Sequence, residues 1–412
     1  MKKILLLCDL FPPAFGPRMG YLCKYLRREG WEPTVVTEAL EDDTFAFLAS
    51  VCPVRRVAFH TLKNPWLARL QWLAVFVLDF LAGYKDYRIY REACRLLCGG
   101  GFDAIVCSTY RDFPLTAARR AARKYHLPFI ADIRDVIEQY AGDEFISRPV
   151  PFGLHKLLTP TFRRRSLSRR NRALREAACI TTVSPWHVEL LRHYNPSVEL
   201  IYNGYDPEVF FPVRTVAEQF IITYTGRLLS TAMRDPGLLF EALSMLSRQG
   251  DFPPHVCRVH WYVDEASKEK IAALAAQAGV ADYMDYMGYV PASEIPTVLN
   301  GSSVLLLLTN KSSSSGPKGV MTTKLFESFA VEKPILCIRS DESHLAALLA
   351  ASQAGLAARE AGEVSAFLRY YYVQWKEKGY TTPTPPLNRD MTQAFSRREQ
   401  AAQFMHLLDR LL

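Results

Sequence analysis

Two doubly wound α/β domains, each a parallel sheet covered by helices on both faces, are what this sequence predicts. Three observations predict them. The chain has 412 residues, too many for one ordinary core and suited to two of about 200 residues each. Short apolar runs alternate with helical patterns along most of its length. The alternation then restarts after a weakly patterned stretch at 207–218 that holds Pro207 and Pro212.

In the first half, residues 4–8 read as a buried strand and 19–29 as a helix closed by Gly30. Strands are expected at 34–37, 104–107, 129–131 and 179–183, with a helix at 115–125. The second half repeats the scheme, with strands at 220–224, 259–263, 304–308 and 334–338 and helices at 236–248, 267–278 and 323–331. Strand, helix, strand in repetition argues for parallel sheets. The expected domains are 1–206 and 207–388, both Rossmann-like and facing each other across a cleft. Residues 389–412 follow a linker at 381–388 that carries Pro383, Pro385 and Pro386. A final helix at about 392–412 is expected to pack back on the first domain. Each such sheet offers a ligand crevice at its carboxyl end.

Composition narrows the class. Hydrophobic residues make up 49% and charged residues 22%, as in soluble globular proteins. Met-Lys-Lys followed by Ile4-Leu5-Leu6-Leu7-Cys8 and Asp9 reads as a first strand rather than a signal peptide. Nine scattered cysteines without a Cys-x-x-Cys pair suit buried thiols in a reducing cytoplasm. The net charge of +8 is uneven: residues 1–206 hold 30 Lys/Arg against 21 Asp/Glu, and 207–412 hold 20 against 21. The first half is therefore expected to face an anionic surface or acceptor. Two stretches stand out there. Residues 66–82 are almost all apolar, broken by Arg69, Gln71 and Asp79, and read either as a buried helix or as one dipping into a bilayer. Residues 163–175 carry seven arginines, either a solvated helix face or a contact for anionic lipid or an acceptor phosphate. Interleaved aromatics are missing from that run, which argues against nucleic acid.

Several loops carry charge at the ends of predicted strands. The first, Asp9 to Arg18, lacks G-x-G-x-x-G but puts Gly16 and Arg18 at a helix start, where amide N–H groups favour anions. Asp132-Ile133-Arg134-Asp135 leaves a buried strand, so these charges either pair with one another or meet solvent in the crevice. In the second half, Tyr224-Thr225-Gly226-Arg227 ends a strand and Arg234 precedes a helix, an arrangement suited to a diphosphate. A Ser/Gly loop at 312–319 leads to Lys324 and Glu327, the latter one turn into a helix and able to accept two ribose hydroxyls.

Taken in order, these segments resemble the GT-B-fold glycosyltransferases of family 4. The match runs through Phe11-Pro12-Pro13 with Gly16 and Arg18, Ile180-Thr181-Thr182-Val183-Ser184, Ile201 to Asp206, and Thr225-Gly226-Arg227 with Arg234. It ends at Lys324 to Ala330 with Lys333-Pro334-Ile335. The resemblance implies that Arg227 and Arg234 are the donor-diphosphate cations, although the second is usually lysine in the family. It makes Glu327 the second glutamate of Glu-x-x-x-x-x-x-x-Glu, the ribose ligand, while the first falls on Gly319. It places the nucleobase near Tyr289 and Val290, and it departs at Asp132–Asp135, where many relatives carry a histidine. A retaining transfer without metal is implied, and the sequence holds no Asp-x-Asp.

The expected catalytic residues are thus Arg227, Arg234, Lys324 and Asp135. Gly16, Arg18, Gly226, Tyr289, Val290, Ser315, Gly316, Leu325 and Glu327 join the first three around the donor, and Arg18, Arg134 and Asp135 meet the acceptor. The expected co-substrate is a UDP- or GDP-type sugar, with no cofactor. The acceptor is a saccharide or lipid-linked saccharide of cell-surface polysaccharide synthesis, met in the cytoplasm with peripheral contact to an anionic membrane. A nucleotide-sugar epimerase of similar shape and a non-catalytic nucleotide-sugar-binding protein are the rival readings.

Overall fold

The computed structural model describes residues 2–140, 154–228, 231, 234–309, 321–338 and 344–412, with only the backbone for 154–157. Two compact units emerge: residues 1–202 with 400–412, and residues 203–399.

The first unit holds a seven-stranded sheet: β1 (Lys3–Cys8), β2 (Glu32–Glu38), β3 (Val54–Val57), β4 (Ala104–Thr109), β5 (Phe129–Ile133), β6 (Cys179–Thr182) and β7 (Val198–Leu200). The order is β3-β2-β1-β4-β5-β6-β7, and all neighbours run parallel. An uninterrupted apolar run such as Ile4 to Cys8 can lie only where both faces are covered. Leu5 and Leu7 pack with Ile105 and Ile133 on one side, and Ile4 and Leu6 with Val106 and Ile130 on the other. The helix Arg397–Leu411 adds Ala401, Phe404, Leu407 and Leu408 to that second face.

The second unit repeats the plan with six strands: β8 (Phe220–Thr225), β9 (Cys257–Tyr262), β10 (Met284–Tyr286), β11 (Val304–Leu308), β12 (Ile335–Ile338) and β13 (Gly355–Ala358). Their order, β10-β9-β8-β11-β12-β13, reverses between β8 and β11, as that of the first sheet does between β1 and β4. Trp261 anchors its core, with Tyr224 and Phe240 against its ring. All nine cysteines are free, and seven are buried.

Two expectations are corrected here. Residues Pro65–Ala82 form a helix in which Val75 alone is buried. Asn64 caps its start by accepting from the N–H groups of Trp66 and Leu67, and Gly83 ends it at φ 67°. Trp66, Leu70, Leu73, Val77 and Leu81 recur at helical spacing along its outer face, from 43% to 68% exposed. It is not the buried helix that one reading expected, because no element covers that stripe among the described residues. The arginine run lies in the helix Leu154–Glu176, and much of it turns inward. Arg163 donates to the carbonyls of Ile137 and Tyr140, and Arg165 to that of Leu81. Arg169 pairs with Asp86, and Arg170, fully buried, pairs with Glu138. Arg164, Arg172 and Arg175 remain exposed.

Candidate active site

In the second unit, the loops after β8, β9 and β10 and the helix Thr323–Ala330 gather at the carboxyl end of the sheet. That helix is amphipathic on a short scale. Leu325, Phe326, Ser328 and Phe329 are buried, Phe326 and Phe329 pack against Phe395, and Lys324 and Glu327 share the other side at i, i+3. Gly226 adopts φ 131°, a left-handed-side value open to glycine, and donates to the Tyr262 carbonyl at 3.0 Å. A Cβ on Gly226 would stand 2.5 Å from Cε and 2.7 Å from Nζ of Lys324. The missing side chain is what lets the ammonium lie over the turn.

Arg234 donates to the Arg227 carbonyl, so the residues on either side of that loop converge. Burial pushes the Lys324 ammonium down to about 8, and the charge of Arg234 adds to this, against the opposing pull of Glu327. Burial also lifts the Glu327 carboxyl, while Lys324 and Arg397 hold it down. Arg227 is largely exposed, with Nε 3.3 Å from Asp264. Asp264 in turn accepts from the Ser267 N–H and caps the helix Glu265–Gln277. Lys324 and Arg234 stand near each other with Glu327 the carboxylate acting on Lys324, and such a pair of cations gains from an anion with several oxygens.

The other expected donor residues are scattered. Tyr289 is exposed, after Gly288 at φ 76°, and Val290 is half-buried. Both follow β10, whose next amide, Met287, donates to the Trp261 carbonyl. Leu325 is corrected as a ligand: its side chain is wholly buried and its N–H donates to Thr322. Ser315 and Gly316, with Lys318 and Gly319, lie outside the described residues. Sequence reasoning missed Asp264 and Arg397. The Asp-Glu-Ala-Ser run was a readable N-cap signal for the first, and nothing local marked the second.

In the first unit, Gly16 and Arg18 do not form an open anion site. A Cβ on Gly16 would come within 2.7 Å of the Leu10 carbonyl oxygen, so glycine serves the fold of the loop. Arg18 is buried and pairs with Asp132 at 3.0 Å, and it donates to the carbonyls of Ile201 and Tyr202. Asp132 accepts also from Ser108 at 2.7 Å and Thr181 at 2.8 Å. Burial pushes its carboxyl up, but the charge and hydrogen bonds of Arg18 and the two hydroxyls outweigh this and hold it below the usual range. Arg134 pairs with Asp9. The Asp132–Arg134–Asp135 cluster therefore pairs outside itself, which neither sequence reading described. Asp135 accepts from Gln139 at 3.1 Å, and its carboxyl is raised by burial.

Residues 15–204 match the glycosyl transferase 4-like domain. No curated protein matches the chain by sequence. Among solved structures, it is similar to HepE of Anabaena in complex with UDP and glucose, at 16% identity and TM-score 0.65 over 100% of both chains. Sucrose-phosphate synthase of Thermosynechococcus elongatus gives 13% identity and TM-score 0.64 over 100% of this chain and 99% of that one. The lipopolysaccharide outer core galactosyltransferase WaaB gives 13% and 0.60 over 100% of both. At these identities the structural likeness establishes the fold, and the domain match speaks for residues 15–204. The chain thus has the fold of these solved structures and carries a glycosyl transferase 4-like domain over residues 15–204.

Proposed function

We propose that the second unit binds a nucleoside diphosphate sugar and that the enzyme moves its sugar, with retention, to a saccharide or lipid-linked saccharide held by the first. The observation that carries this is Lys324 lying over Gly226 with Arg234 near it and bonded to the Arg227 carbonyl, and Glu327 one helical turn on. The chemistry asked of them is electrostatic. As the glycosidic bond to the diphosphate lengthens, charge builds on the leaving oxygens, and fixed cations there favour the transition state over the ground state. No metal is needed in this scheme. The acceptor attacks on the face the diphosphate leaves. Glu327 accepts the ribose hydroxyls, and Tyr289 and Val290 meet the base. HepE in complex with UDP-glucose supports a UDP-type donor.

On the acceptor side, Asp135 is the proposed catalytic carboxylate, its carboxyl raised by burial, with Arg134 beside it. The exposed stripe of Pro65–Ala82 is proposed to lie in the surface of an anionic membrane, helped by the basic excess of residues 1–206. A thermal-shift screen of nucleoside diphosphate sugars tests the donor reading, since a ligand of the native state raises its melting temperature. UDP-sugars should stabilise the protein, and the best of them should release UDP faster when acceptor is present. Epimerised sugar accumulating without acceptor would support the rival enzyme instead.

A further inference from the structure

The carboxylate proposed for catalysis, Asp135, sits on a short connector. β5 ends at Ile133, and the chain then makes a single 3₁₀ turn, Ile137–Gln139. A lone turn does not hold itself in water. Val136 and Ile137 anchor this one by being fully buried, and the rest of the hold comes from another element.

That element is the helix Leu154–Glu176. Arg163 donates to the Ile137 carbonyl at 2.8 Å and to that of Tyr140. Arg170 donates from both terminal nitrogens to the two oxygens of Glu138, at 2.6 Å each. The Asn171 side chain accepts from the Arg170 Nε at 3.0 Å, which fixes the plane of the fork. Positions 163 and 170 lie about two helical turns apart on one face, and bidentate pairing sets orientation as well as distance. The turn is therefore gripped at Ile137, Glu138 and Tyr140.

Between Glu138 and Tyr140 lies Gln139. Its Nε2 donates to Asp135 Oδ1 at 3.1 Å, and among the described residues no other hydrogen bond reaches that carboxyl. Arg134 is the charge that faces Asp135, Tyr140 stands beside it, and Tyr110 and Arg111 lie next to Tyr140. Burial lifts the Asp135 carboxyl, while Gln139 and Arg134 hold it down. One oxygen held by an amide leaves the other presented in a fixed direction, with the ionised form favoured.

We propose that Gln139 is the positioning residue of Asp135, and that Arg163 and Arg170 hold it in place through the turn. The inference rests on the reading of Asp135 as the acceptor-side carboxylate. It gives two inward arginines of the 163–175 run a task at the carboxyl end of the first sheet.

The test is a pH titration by NMR of the full chain carrying carbon-13-labelled aspartate, in which the Asp135 carboxyl signal is the one that Asp135→Asn removes. Gln139→Leu loses the donor, so the Asp135 midpoint should rise by roughly one pH unit. Gln139→Lys restores a donor and adds a positive charge, so it should bring the midpoint back to the wild-type value or below. Arg163→Met should move it part of the way, read beside its melting curve, since Arg170 still grips Glu138. A midpoint that stays put in both Gln139 variants overturns the proposal, and a lowered melting temperature without a shift makes Gln139 structural only. UDP release from UDP-glucose, with water as the acceptor, separates the inference from the reading beneath it. In Gln139→Leu the acid limb of the release rate should move up with the midpoint, slowing release by up to about tenfold there, with UDP affinity unchanged. A wild-type rate in Asp135→Asn sinks the catalytic reading of Asp135, whatever the titration shows. An inactive Asp135→Asn beside an unmoved midpoint sinks the positioning role alone.

Discussion

At the carboxyl end of the first sheet, Arg18 and Arg134 each face a buried carboxylate, Asp132 and Asp9. At the same end of the second sheet, Lys324 and Arg234 stand near each other and Arg234 reaches a backbone carbonyl. Strand order is shared through the first six strands of each, so topology does not make the difference. Charge matching does. A cation that already holds a desolvated carboxylate is part of the scaffold, and removing it strands a charge. Lys324 and Arg234 share one nearby carboxylate, Glu327, and their mutual repulsion is what a diphosphate would relieve.

The largest expected effect breaks the first half of this comparison. Arg18→Ala leaves Asp132 buried beside two hydroxyls, and loss of one partner of a buried pair costs about 3–5 kcal/mol. That should lower the melting temperature by roughly 10 °C for a unit of this size. The pH dependence has a definite sign. The Asp132 carboxyl is held below its ordinary value when folded, so the pair's contribution is full above the unfolded pKa and fades as pH falls through the folded one. The variant should lose that acid-side slope.

Next is the exposed helix. Replacing Leu70, Leu73 and Val77 with serine removes three apolar side chains that the fold leaves in solvent. Binding to anionic liposomes should fall about a hundredfold, with no loss of melting temperature. Serine at Arg163 and Arg165 should instead destabilise the protein, because both cap carbonyls within it.

A smaller effect sharpens the second half. With the Lys324 ammonium near 8 in the free protein, raising pH from 7 to 9 discharges it, and UDP affinity should drop by about tenfold. Bound diphosphate favours the charged form, so binding at pH 8.5 should take up a proton, visible in buffers of different ionisation enthalpy. Lys324→Met should bind UDP weakly and without that pH dependence. The smallest expected change is none: EDTA should leave transfer intact, given cations that serve the leaving group and a sequence without Asp-x-Asp. Activity that vanishes with EDTA and returns with Mn²⁺ would put a metal in the scheme.

How much of this was legible follows the same physics. Most of the five inner strands of the first sheet and the four of the second were readable because they carry runs of buried apolar residues such as Ile4 to Cys8 and Val304 to Leu308; β9 alternates instead, its Arg258 and His260 half-buried. The strands that sequence missed, β3, β7, β10 and β13, are the four sheet edges. Each has three or four residues and is partly exposed, so none shows a long apolar run. At the site, Lys324 and Glu327 were legible because their geometry is local, one helical turn. Arg18 was not, since its partner Asp132 lies 114 residues away and no pattern along the chain announces the meeting. The arginine run misled for the same reason: Arg169 and Arg170 find Asp86 and Glu138 only in the folded unit.

The central claim is that the donor's nucleotide is held by the second unit through Glu327. Calorimetric titration of UDP into the wild type and Glu327→Ala, beside their melting curves, tests it most directly. Hydrogen bonds from ribose hydroxyls to a carboxylate contribute about 1.5–3 kcal/mol, so affinity should fall on the order of ten- to a hundredfold with the melting temperature unchanged. Unaltered UDP affinity together with a lowered melting temperature would make Glu327 a structural residue and contradict the placement of the donor site.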